Sequence, residues 1–303
     1  MERSFHVVPS KKEINIKREL RDMKVIDVKN VRKYYGGVRG VDGLTFSVEK
    51  GEIYGLLGPN GAGKTTTIKI LVKIIKDYDG KVNVLGRDLK EWDEGYYNKI
   101  GVSFEFPALY SKLTVLENLE FFASFYKRHL EPREVLKLVG LNESNMLVLK
   151  LSKGMGRKLD LARALLPDPD ILFLDEPLEG LDPESARRIK DLLLEMRDNG
   201  KTIFLTTHNM YVADELCDRV AFIVEGKIRL VGNPKELKVR MGKRAVRIEY
   251  LDEGKVKIAE FPLENLGKNR EFLDILRKEI MRIETVEPSL EEIFLKVTGR
   301  RLI

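Results

Sequence analysis

The 303-residue sequence contains no glutamine, one cysteine, one tryptophan and three histidines. The single cysteine, Cys217, excludes an internal disulfide and fits a reducing compartment. Long apolar runs are also missing. Stretches such as Ile171 to Leu174 and Ala221 to Val224 are only a few residues long, whereas a membrane-spanning helix takes about 20 residues. The chain is therefore not expected to cross a bilayer alone. The opening residues, MERSFHVVPSKKEINIKREL, lack the apolar core of a secretion signal. Blocks of Lys and Arg of the kind that mark nucleic-acid-binding arms are absent as well.

What is present points to a folded, charge-rich protein. Hydrophobic residues make up 43% of the chain, enough for a buried core and too many for wholesale disorder. Charged residues reach 34%, and with no glutamine this balance points to a heat-loving source. The net charge of +6 admits an acidic partner. Both signs are mixed along the whole sequence, however, so no nucleic acid is expected.

Three textures follow one another. Residues 1–24 are polar and weakly periodic; Ile14, Ile16 and Leu20 fit either an extension or a short amphipathic helix. From Val25, short apolar runs bounded by glycines read as strands: Val25 to Val31, Leu44 to Val48, Ile53 to Leu57, Lys81 to Val84, Ile171 to Leu174, Ile203 to Thr206, Val220 to Val224 and Lys227 to Val231. Several do not alternate, as expected where helices cover both faces of a sheet. Between about 107 and 166 the strand signals stop, and Thr114 with Glu117 forms a capping box before a helical run. From 242 to 303 the alternation of Val246, Ile248 and Tyr250, a turn at Asp252 to Lys255 and renewed alternation predict a hairpin. A second capping box, Ser289 and Glu292, opens a last helix. The expected fold is α/β: a phosphate-loop domain over 25–241 with a helical insert at about 107–166, then a small C-terminal α+β domain.

The strongest chemical signal is the run Gly58, Pro59, Asn60, Gly61, Ala62, Gly63, Lys64, Thr65, Thr66 between a predicted strand and a predicted helix. Glycines let backbone N–H groups converge on phosphates, and a helix N-terminus adds positive potential. Lys64 can reach the outer phosphates, and the Thr65 hydroxyl can bind Mg²⁺. The strand Ile171 to Leu174 leads into Asp175 and Glu176. Asp175 suits Mg²⁺, a hard cation that prefers oxygen. Glu176 can orient an attacking water, since phosphoryl transfer needs a positioned nucleophile. His208 closes a third strand and can donate to a γ-phosphate.

Together these residues resemble the ATP-binding cassette domain, from Val25 to about Gly242. The resemblance implies that Tyr35 stacks on adenine; as residue type and position alone go, it could equally be a core tyrosine. Leu151 to Met155, LSKGM, stands at the family's signature motif, and a helix from Leu159 to Leu166 is expected after it. Gly180, Leu181 and Asp182 match the loop after the acidic strand. In the family two copies pair head to tail, so Ser152, Lys153, Gly154 and Met155 would touch ATP held by the partner copy. The segment from Pro288 to Arg300 is similar to the ending of the separate ATPase subunits of bacterial and archaeal drug, sodium or polysaccharide exporters. That narrower likeness implies a distinct multi-spanning permease as partner, and a place on the cytoplasmic face of the cell membrane.

Four positions depart from the family pattern. Glu105 stands where a glutamine would reach Mg²⁺, and it is the expected substitute ligand. Lys153 replaces a glycine, Met155 a glutamine, and Glu179 a small or amide residue. A glutamine-free chain accounts for Glu105 and Met155 by bias alone. Lys153 either offsets the added acids or supplements phosphate binding across the dimer, or it points to solvent. Phe104, Phe106 and Tyr110 either dock the permease or pack the insert. The rival function is a soluble cassette ATPase acting on ribosomes or nucleic acid, but one cassette without sustained heptads does not fit the usual form of that class. A phosphate-loop kinase or GTPase would leave LSKGM, the acidic pair and His208 unexplained together.

Overall fold

The computed structural model describes residues 23–242 and 244–300; Ile14, Ile16 and Leu20, and with them most of the expected N-terminal extension, lie outside the described residues. The chain divides into two compact units between Val231 and Gly232.

In the first unit two sheets share one hydrophobic core. An antiparallel sheet has the order β2-β1-β4-β5, built from β1 (Lys24–Tyr35), β2 (Val38–Glu49), β4 (Asp79–Val84) and the two-residue β5 (Arg87–Asp88). The second sheet has the order β10-β9-β3-β8-β7-β6. It comprises β3 (Ile53–Leu57), β6 (Ile100–Ser103), β7 (Ile171–Asp175), β8 (Thr202–Thr207), β9 (Arg219–Val224) and β10 (Lys227–Gly232). The pairs β3–β8, β3–β9, β7–β8 and β6–β7 are all parallel. Every residue of β3, β7 and β8 is buried, which is why these strands do not alternate. Phe173 and Phe204 are fully buried between the layers; removing such a ring from water contributes roughly 1.5–3 kcal/mol.

The expected strands all form, most of them a residue or more longer than their apolar runs. β6 is the exception in kind: Ile-Gly-Val-Ser is too short to stand out on pattern alone. Gly101 in it is required by space, since a Cβ there would lie 2.0 Å from the Ala164 carbonyl oxygen. The insert is helical, with helices Val115–Ala123, Pro132–Val139 and Lys153–Leu165. The Thr114 capping box is complete: Thr114 Oγ1 accepts from Glu117 N and the Glu117 carboxylate accepts from Thr114 N. Such a cap contributes about 1 kcal/mol.

The second unit carries a three-stranded antiparallel sheet of order β12-β11-β13, from β11 (Ala245–Asp252), β12 (Lys255–Pro262) and β13 (Glu279–Val286). The hairpin closes where Asp252 pairs with Lys255. Helix Pro234–Met241 belongs to this unit and is tied to the last helix, Leu290–Thr298, by Lys296 Nζ donating to Met241 O at 2.8 Å. Among the described residues no helix is long and apolar enough to cross a membrane.

Candidate active site

Four neighbouring strands, β3, β8, β7 and β6, run parallel and end at one edge. The register aligns Leu57 with Thr207 and Thr206 with Asp175. Residues 58–66, His208, Asp175 with Glu176, and Glu105 therefore all leave the sheet at the same edge, the place where ligands bind open parallel sheets. The loop after β3 runs into helix Lys64–Leu71. Gly63 precedes the helix with φ 108, and a Cβ there would sit 2.5 Å from Gly40 O, so only glycine serves.

Lys64 is buried and donates to Gly58 O at 2.6 Å and Pro59 O at 3.3 Å. Its ammonium lies 3.6 Å from Glu176 Oε1. Burial pulls the Lys64 pKa below the ordinary lysine value, against the opposing charges of Glu176, Asp175 and Glu105. Thr65 Oγ1 donates to Asp175 Oδ2 at 2.8 Å, and Thr206 Oγ1 donates to the other oxygen. Glu176 is held from three directions. Thr207 Oγ1 donates to its Oε2 at 2.8 Å, and His208 N donates to Oε1 at 2.9 Å. His208 Nδ1 stands 2.8 Å from the same Oε1. Glu176 itself has φ 50, a left-handed backbone uncommon outside glycine.

Residues 41–179 match the family model described as "ABC transporter", and residues 244–287 match "Fluoroquinolone efflux ABC transporter C-terminal domain". A fluoroquinolones export ATP-binding protein of Mycobacterium tuberculosis is 48% identical over 266 residues, covering 86% of this chain and 88% of the relative. The chain belongs to the ATP-binding cassette transporter family. It is a transporter's ATP-binding, ATP-hydrolysing subunit. A Nod factor export ATP-binding protein of Burkholderia orbicola is 41% identical over 218 residues, covering 70% of this chain and 72% of the relative. Among solved structures, a dimeric cassette in a post-hydrolysis state bound to ADP and Pi matches with a TM-score of 0.64 at 27% identity, covering 69% of this chain and 98% of that one.

The other expected cassette residues fall in two places. Tyr35 is not a core residue: it is 45% exposed, and it approaches the same glycine, Gly40, as Thr66 does. Ser152, Lys153, Gly154 and Met155 lie elsewhere. Among the described residues no hydrogen bond or ion pair joins them to residues 58–66. The signature is itself the first turn of a helix, which starts at Lys153 and not at Leu159, because Ser152 is its N-cap and accepts from Met155 N at 3.2 Å. Within the single chain Lys153 Nζ donates to Glu179 Oε1 at 3.0 Å, so it already offsets one of the added acids there. That bond holds the Glu179 carboxyl below the usual range. Phe104 packs against the core, whereas Phe106 is 83% exposed. Tyr110 stacks edge-on with Phe121, and Phe121 with the exposed Phe125.

Sequence reasoning missed a cluster beneath the signature helix. Asp160 is fully buried and accepts from Ser103 Oγ at 2.6 Å and from Arg163 Nη2 at 2.7 Å. Arg163 also donates to Val102 O, and Arg157 Nη1 donates to Phe104 O at 2.6 Å. Three residues on one helix face thus grip three successive residues leading to Glu105. Arg157, Asp160 and Arg163 recur three apart on a helix that also carries Lys153 and Lys158, so their spacing alone did not mark them out.

Proposed function

We propose that two copies of this subunit close on ATP and energise an exporter through a separate permease in the membrane. The observation that carries this reading is the convergence of residues 58–66, Asp175, Glu176 and His208 at one sheet edge, joined by the bonds among Thr65, Asp175, Glu176 and His208.

In this reading the loop N–H groups and Lys64 take the phosphates, which replace Gly58 O and Pro59 O as the acceptors of Lys64. Thr65 and Asp175 offer adjacent hydroxyl and carboxylate oxygens, a donor set that fits Mg²⁺. Among the described residues no group of three or more His, Cys, Asp or Glu side chains could hold a metal; an ion bound mainly through phosphates needs only one or two protein ligands. Mg²⁺ neutralises charge on the phosphates when bound, and Glu105 is the third candidate ligand. His208 exchanges Glu176 for the γ-phosphate, which frees Glu176 to orient water. Tyr35 stacks on the adenine. Ser152, Gly154 and Met155 complete the site of the other copy. Positioning and fixed charge supply the acceleration.

Tyr110, Phe121 and Phe125 form an exposed aromatic patch on the insert, of the composition that interface cores favour, and the exposed Phe106 stands just before the insert in the chain. We assign the patch to the permease, and with it a peripheral position on the cytoplasmic face of the membrane. The family matches make a fluoroquinolone-like drug the first cargo to assay.

The test is a pull-down of tagged Glu176→Gln protein from gently solubilised native membranes with Mg-ATP. Recovery of a multi-spanning membrane protein is expected. Recovery of ribosomal or DNA-bound material alone would refute the partnership with a separate permease and leave the ATPase standing.

A further inference from the structure

Lys153 is placed against expectation. It is the first residue of a 13-residue helix, where the backbone already presents positive potential, and the first turn of that helix contains no acid. A cation there is unfavourable unless an anion is supplied. The chain supplies one, Glu179, from the loop that follows Glu176, at 3.0 Å from Lys153 Nζ. The stem of Lys153 lies over Gly180, where an added Cβ would meet its Cγ, Cδ and Cε at 3.1 to 3.4 Å. Gly180 has φ 76 and is open to Lys153 only because it lacks a side chain.

This ion pair is not a fixture of the core. Lys153 is 66% exposed and Glu179 35%. Exposed pairs of this kind contribute little, and a lysine head on a four-carbon stem changes partner readily. Lys153 also lies between Ser152 and Gly154, the residues assigned above to the partner copy's ATP.

We propose that Glu179 holds the ammonium of Lys153 in reserve, so that this signature residue reaches the partner copy's ATP only when the triphosphate displaces the carboxylate. In the separate subunit Glu179 neutralises Lys153. On closure the triphosphate of the partner copy, a stronger anion than one carboxylate, takes the ammonium. Glu179 thereby sets how readily two copies close: it competes with ATP for the same cation. This inference rests on the head-to-tail closure proposed above.

The two members of a static brace would behave alike when removed; a competitor and a ligand behave oppositely. The measurement is the dimer dissociation constant at saturating Mg-ATP, by sedimentation, in the Glu176→Gln background. Glu179→Gln is expected to tighten the dimer by up to about 25-fold, since closure frees two Lys153 side chains from surface pairs worth up to about fivefold each. Lys153→Met is expected to weaken it about a hundredfold or more, through loss of one charge-assisted bond to phosphate, worth about tenfold or more, at each of the two sites. The double variant should match Lys153→Met, and Lys153→Arg should dimerise like the parent. Weakening by both single variants, or no change in either, overturns the proposal. If the Glu176→Gln parent forms no dimer with Mg-ATP, the closure reading itself falls, and this inference with it.

Discussion

Asp160 is a buried charge outside the phosphate loop whose neutralisation the structure makes costly. Its carboxylate is fully buried and accepts from Ser103 Oγ at 2.6 Å, Arg163 Nη2 at 2.7 Å and Arg163 Nε at 3.1 Å. Asp160→Asn keeps the shape and one carbonyl acceptor but removes the charge. Breaking a buried ion pair from one side costs about 3–5 kcal/mol. Arg163 is 19% exposed and keeps Val102 O and the Phe122 ring, so the lower end, about 3 kcal/mol, applies. Asp168→Asn is the control. It loses an ion pair of similar length, 2.6 Å to Lys201, but on the surface, where about 0–1 kcal/mol is expected. Urea unfolding followed by Trp92, the one tryptophan and a member of the first unit, measures both. An Asp160→Asn cost no larger than that of Asp168→Asn would refute the argument that this cluster fixes the segment before Glu105.

Tyr35→Ala should weaken ATP binding by about two- to tenfold, the range for one aromatic stack, and Tyr35→Phe should restore it; an unchanged titration with ATP would remove Tyr35 from the site. Phe125→Asp, on the exposed patch, should abolish permease recovery in the pull-down while ATP turnover by the isolated subunit stays as it was; loss of both would mean the patch serves the fold. Glu52 has its pKa pushed up to about 7 by burial, which the Glu49 N–H and Arg219 offset only in part. The folded state then holds this proton more tightly than the unfolded one, so its contribution is full below about pH 4.5 and is lost as pH rises through about 7, roughly 3 kcal/mol in all. The urea midpoint should therefore fall between pH 5 and pH 8 in the parent more than in Glu52→Gln, and parallel profiles would contradict this.

Legibility in the sequence followed how much of each signal is local. Ile53 to Leu57 with the loop behind it, and Ile171 to Asp175 with Glu176, carry their meaning within a few residues, because a parallel core strand must be continuously apolar and its end must turn. Both capping boxes, Thr114 with Glu117 and Ser289 with Glu292, form as expected for the same reason. β13 escaped notice because its sequence, EIMRIETV, spreads charge over both faces of an edge strand that only β11 pairs. The grip of Arg157, Asp160 and Arg163 on residues 102–104 could not be read in advance, since its two sides are more than fifty residues apart. Glu176's left-handed backbone and its bonds to Thr207 and His208 depend likewise on two strand ends meeting.

The four departures from the family pattern sort by what each side chain touches. Met155 contributes a backbone N–H to Ser152 Oγ, which any residue but proline supplies, so the cap does not require the lost amide. Lys153 and Glu179 arrive as a pair of opposite charge at 3.0 Å, so together they leave the charge of the signature half unaltered until something separates them. Glu105 is different in kind. Its charge reaches Lys64, where with Glu176 and Asp175 it opposes the effect of burial and favours the protonated amine. A carboxylate in place of an amide there strengthens the cation that must meet the phosphates, and at the same time adds a negative charge that Mg²⁺ must offset. The departures that carry charge thus act at the two surfaces that closure would bring together, one tuning the phosphate loop and the other the signature.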